Sequence, residues 1–128
     1  MTTREISIYT ESYKAVPDLS LKQYFAVKLT STENDIVLAD AGAGIGILQN
    51  KPEAQQGAEV RHHGISRHVV DGNATNIAIG DLITSDAAGK GVVADTIGDL
   101  AYAIALEAST ADGDIISVLM MGLIAVHA

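Results

Sequence analysis

Cysteine and tryptophan are missing from this 128-residue chain, and phenylalanine occurs once. Without cysteine there is no disulfide framework and no thiol chemistry. The length suits one domain able to bury roughly two-thirds of its unfolded surface, so packing alone can hold it. Positive charge is also scarce: 8 Lys and Arg stand against 16 Asp and Glu, a formal charge of −8. That sign disfavours gripping nucleic-acid phosphates and docking on anionic membranes. Long apolar runs are lacking as well. The longest, Ile115 to Val126, is broken by Ser117 and Gly122, and a membrane helix needs about 20 residues. Met1-Thr2-Thr3-Arg4-Glu5 is polar and has no signal-peptide core. The chain reads as soluble and made in a cytoplasm.

The few aromatics are unevenly spread. Tyr9, Tyr13, Tyr24 and Phe25 all precede residue 26, and only Tyr102 follows. Residues 1–21 read as an N-terminal arm, with Ile6, Ile8, Tyr9 and Tyr13 scattered among polar residues and a turn at Pro17-Asp18. Such a segment is either a terminal edge strand or an arm that docks on a neighbour. Residues 22–128 read as a single β-rich domain of short apolar runs punctuated by Gly, Asp and Asn. Strand-period stretches are Phe25 to Leu29, Ile36 to Leu38, Ile45 to Leu48, Ala58 to His63 and Arg67 to Val70. Leu82-Ile83-Thr84 and Val92-Val93-Ala94 flank a Gly/Asp loop and predict a hairpin. From Leu100 to Leu106 large residues alternate with alanines, which predicts a strand with the large residues on one face. Ile115 to Met121 follows the turn Asp112-Gly113-Asp114. One short helix fits Lys51 to Gly57, with Pro52 in its first turn. The fold class is therefore all-β, a small β-sandwich or β-barrel with an extended N-terminal arm.

No stretch nominates a catalytic residue, a cofactor site or a metal site. Gly42-Ala43-Gly44-Ile45-Gly46 has G-x-G-x-G spacing and runs into a strand, unlike a dinucleotide loop, which opens a helix. His62, His63 and His68 are the histidine cluster. Adjacent strand residues point to opposite faces, which leaves His62 and His63 a poor pair of ligands. Most aspartates sit beside Gly, Asn or Ser, where they cap turns. No G-x-S-x-G elbow occurs. Met120 and Met121 read as core and edge packing.

Four stretches together resemble a known family. They are Lys22 to Leu29; Gly46-Ile47-Leu48-Gln49-Asn50-Lys51-Pro52 with Ala58-Glu59-Val60-Arg61 and Gly64-Ile65-Ser66; Gly80 to Asp86 with Gly89-Lys90; and Ala103 to Ala108 with Gly113 to Leu119. Over roughly residues 20–121 their order and spacing are similar to those of bacteriophage capsid decoration, or cement, proteins. The resemblance implies a virion protein that is not an enzyme. It implies binding to the major capsid protein on the outer surface of an expanded capsid, as a homotrimer, without nucleic acid or membrane. The expected partner-binding residues are Ile6, Ile8, Tyr9 and Tyr13 of the arm, Ile45 of the glycine loop, and Asn50 and Lys51. The alternatives are a phage tail or baseplate module and a small ligand-binding β-barrel.

Overall fold

The structure, a computed structural model, describes residues 5–125. Residues 1–4 of the expected arm and 126–128 of the expected domain lie outside them. Among the described residues there are nine strands: β1 (Ile6–Ala15), β2 (Ala26–Leu29), β3 (Asp35–Leu38), β4 (Gly46–Leu48), β5 (Gly57–Asp71), β6 (Leu82–Ser85), β7 (Gly91–Val93), β8 (Leu100–Ala105) and β9 (Asp112–Ala125). The all-β expectation holds. The helix expected at 51–57 is absent. Leu19 N–H takes the Pro52 carbonyl and Gln55 N–H takes that of Ala15, so this loop's backbone groups are spent on its neighbours. Gln55 also turns the chain at φ 71°.

The strands form one sheet in the order β1-β3-β2-β4-β5-β7-β6-β8-β9, with additional pairings β1–β5 and β5–β9. Those two pairings close the sheet on itself twice. The first ring runs β1-β3-β2-β4-β5 and the second β5-β7-β6-β8-β9. The 15-residue β5 belongs to both. Its first half pairs with β1 and β4, and its second half with β9 and, at Val70↔Gly91, with β7. The sequence suggests two strands here, divided at Gly64. The chain instead passes straight through Gly64 at φ 115°, a conformation open to glycine.

Each ring has its own apolar cluster. Val27, Ile36, Leu48, Ala58 and Val60 fill the first. Val70, Ile77, Ile83, Tyr102, Ile116, Val118 and Met120 form the second, joined by Ala26 and Ile47. Successive residues Ala26/Val27 and Ile47/Leu48 thus enter different clusters. The β2–β4 pair is buried on both faces and separates the two cores, as a sandwich layer does.

The alternation at 100–106 gives the strand correctly, and it is the alanine face that is turned inward. Ala101, Ala103 and Ala105 are buried, whereas Leu100 and Ile104 are half-buried on the outside. Ile83, Tyr102, Ile116 and Met120 occupy the ring's interior, and the small Ala103 and Ala105 pack among them. Tyr102 nevertheless enters the core, at the register shift between Ala101 and Ala103. The hairpin read at 82–94 is present as antiparallel β6–β7.

Candidate functional site

β1 lies antiparallel along β5, from Ile6↔Ile65 to Lys14↔Gly57. The register shifts on either side of Tyr9: Ser7 faces Gly64, Tyr9 faces His63, and Ile8 is left without a partner. A bulge of this kind re-aims side chains. Ile8 is 76% exposed, and Ile6 and Tyr9 are about half exposed at 50% and 48%.

A polar network fixes the bulge. Tyr9 Oη donates to Glu11 Oε2 at 2.6 Å, and Tyr13 Oη donates to the same oxygen at 3.0 Å. Tyr13 Oη is also 2.9 Å from His62 Nε2, and His62 Nδ1 is 3.2 Å from the Ile45 carbonyl. The hydrogen bonds from Tyr9 and Tyr13 hold the Glu11 carboxyl below its usual range. Burial, then the Glu11 contact, pushes the Tyr13 phenol up to about 12. The Tyr9 ring stacks on His62 with centroids 5.3 Å apart, and its edge meets His63 at 6.2 Å.

Beside this network is a cavity of about 270 Å³ lined by Tyr13, Ile45, His62, His63, Leu29, Met121 and Leu123 together with Gly122. Both adjacent histidines reach it. The simple opposite-face rule fails because the register slips at the bulge, where Tyr9 pairs with His63 and Thr10 with Arg61, leaving His62 out of the β1 ladder. Among the described residues, no carboxylate lines the cavity. Next to it, an apolar row crosses the outer face of the sheet through the in-register residues Ile6, Ile65, Leu119 and Ile104. Directly opposed residues share a face, and all four are partly or fully exposed. Ile115, 50% exposed, extends the row along β9 opposite Val69.

The structure brings Tyr9, Tyr13 and Ile45 to the network and its cavity, sets Ile6 on the adjoining apolar row, and leaves Ile8 exposed at the bulge. Asn50 and Lys51 are elsewhere, in the β4–β5 loop. The Asn50 amide closes that loop: Nδ2 donates to Gly57 O and Oδ1 accepts from Glu59 N–H, both at 3.0 Å. Lys51 is exposed. Sequence reasoning missed Ile65, Leu119, Met121 and Leu123. The available signal was the set of large apolar residues at 115, 119, 121 and 123, interrupted by the buried Ser117.

The glycine loop has a packing explanation. A Cβ on Gly44 would press against Tyr102 and Ala26, and one on Gly46 against Val60. Ser85 Oγ accepts from Gly44 N–H at 2.9 Å and donates to Asp40 O at 2.7 Å. The segment ends in β4, not in a helix. The third histidine is also structural. His68 is fully buried, with Nδ1 2.8 Å from Tyr24 O and Nε2 2.6 Å from Tyr102 Oη. Nδ1 must donate to the carbonyl, so Nε2 accepts from the phenol. Burial pushes His68 down to about 4. Among the described residues, no group of three or more His, Cys, Asp or Glu is placed to hold a metal ion.

A family model described as phage cement protein matches residues 22–121. Among solved structures, the chain is similar to the head fiber gp8.5 N base of bacteriophage phi29, with 14% identity and a TM-score of 0.67. The match covers 88% of this chain and 93% of that one. At that identity the likeness is one of fold. Comparison with curated proteins finds no match.

Proposed function

This chain belongs to the phage cement protein family and is a structural component of the phage capsid, and from that premise we propose that it binds the outer surface of an expanded shell and bridges major capsid subunits. One observation supports this reading above the others: exposed apolar side chains are concentrated on the β1/β5/β9 face. Ile6, Ile8, Tyr9, Ile115, Leu119 and Leu123 are each at least 39% exposed there. Isolated exposed apolar residues are ordinary, but a contiguous set rimmed by polar groups suits a protein contact. The cavity beside it would take an aliphatic side chain from the shell. The mechanism is linkage. A ligand that binds only the expanded lattice stabilises that lattice by mass action, and many copies multiply a modest contact energy. The protein performs no reaction and needs no cofactor. It is made in the host cytoplasm, self-associates as a homotrimer, and contacts neither nucleic acid nor membrane, in keeping with its charge of −8.

The test is size-exclusion chromatography with light scattering, on the protein alone and mixed with expanded empty capsids. Co-elution that saturates at a fixed copy number is the expected result. A folded protein that ignores capsids of its own phage would overturn the reading, and stacking of rings into tubes by the isolated protein would favour a tail module.

A further inference from the structure

Two unlike patches lie away from the β1/β5/β9 face. The first is in the first ring. Leu21 is 88% exposed, and Lys22 beside it has its Nζ 4.8 Å from the Phe25 ring centroid. Residues 19–24 run alongside 48–52: Leu19 N–H donates to Pro52 O, Gln23 Nε2 to Gln49 O and Tyr24 N–H to Leu48 O, at 2.9, 2.9 and 2.7 Å. The exposed Lys51 therefore lies across from Leu21 and Lys22. Among the described residues neither lysine has a carboxylate within ion-pair distance, whereas Lys14, Lys28, Lys90, Arg61 and Arg67 do.

The second patch is the loop between β7 and β8. Ile97 is 66% exposed and stands between Asp95 and Asp99. No described cation pairs with either carboxylate. The surroundings share their sign. Residues 71–125 hold eight carboxylates against one base, Lys90, which is already 2.8 Å from Asp112. Residues 5–70 hold eight against six bases.

We propose that these patches are the two sides of one contact between copies of this chain, Leu21 with Lys22 and Lys51 on one copy packing against Ile97 with Asp95 and Asp99 on the next. Both sides have an exposed aliphatic centre flanked by unpaired charge, and the charges are opposite. A chain at −8 repels its own copies in most orientations. The favoured approach brings the unpaired lysines to the unpaired aspartates and buries the aliphatic pair between them. Because the two patches differ, the contact is head-to-tail, and repeated around an axis it closes a ring. The proposal rests on the self-association in the reading above and assigns its surfaces. It uses none of the residues of the face given to the capsid.

The experiment is sedimentation equilibrium on the full chain at low and high salt, with circular dichroism to confirm folding. The variants are Lys22→Glu with Lys51→Glu, Asp95→Lys with Asp99→Lys, and the four changes combined. The wild type should form a closed oligomer that weakens in high salt. Each double variant should raise the dissociation constant at least tenfold, and the combined variant should recover most of the loss. A monomeric wild type, or association that neither reversal weakens, would overturn the proposal. Capsid co-elution is scored separately: a monomer that still decorates capsids removes the self-contact alone, and a ring that ignores capsids removes the capsid reading alone.

Discussion

The hydrogen bond between Tyr102 Oη and His68 Nε2 is made at the centre of the second core, where both side chains are fully buried. His68 is held neutral there, at about 4 against an ordinary value of 6.5. The unfolded chain takes up a proton at this histidine as pH falls below 6.5, and the folded one does so only near 4. This contribution to stability is therefore complete above pH 6.5 and is lost as pH falls through 4. Its full size is about 3 kcal/mol. Urea unfolding from pH 7 to 4 should show that loss, and His68→Gln should show less of it; equal slopes in both proteins would contradict the assignment. Tyr102→Phe leaves Nε2 without its donor and should cost about 1–3 kcal/mol at pH 7. The sequence showed a His68 without explaining it, because its partners are 44 and 34 residues away. The adjacent His62 and His63 were conspicuous, but the bulge that brings both to Tyr9 leaves no local trace.

At the scale of elements, turn chemistry was legible and pairing was not. Gly and Asp clusters marked most strand ends, and the β6–β7 hairpin followed because its two strands are close in sequence. The alternation in β8 marked two faces but not which of them is inside; the alanines are, together with Tyr102. The helix at 51–57 was suggested by Pro52, whose carbonyl instead accepts from Leu19. β1 shows the limit most clearly. Its exposed Ile6, Ile8 and Tyr9 are what an edge strand and a docking arm both require, and only the pairing with β5 places them. Ala15 at its end is buried in the first core. Deleting residues 1–15 should therefore lower stability as well as capsid binding. Ile8→Asp separates the two effects: stability should stay within about 0.5 kcal/mol of wild type, while capsid binding weakens measurably in the co-elution assay. Gly64→Ala should act through the same pairing, since its Cβ would collide with the Ile6 carbonyl. Amide exchange should rise along β1 first, and unchanged protection there would count against the β1–β5 register.

Across the whole molecule, composition foretold an acidic, all-β chain, but not a sheet that closes twice. That closure depends on one strand meeting four others, β1, β4, β7 and β9, and no window of sequence encodes so many distant partners. It follows that the two cores should not melt separately. Leu48→Ala in the first and Val118→Ala in the second should each shift one shared calorimetric transition, the former by about 2–5 kcal/mol. Two resolved transitions would mean that the rings are independent. The shared strand also has a mechanical meaning for a structural component of a phage capsid. A pull that separates the rings acts lengthwise on β5, so its hydrogen bonds to β1 and β9 are sheared together instead of being unzipped one by one.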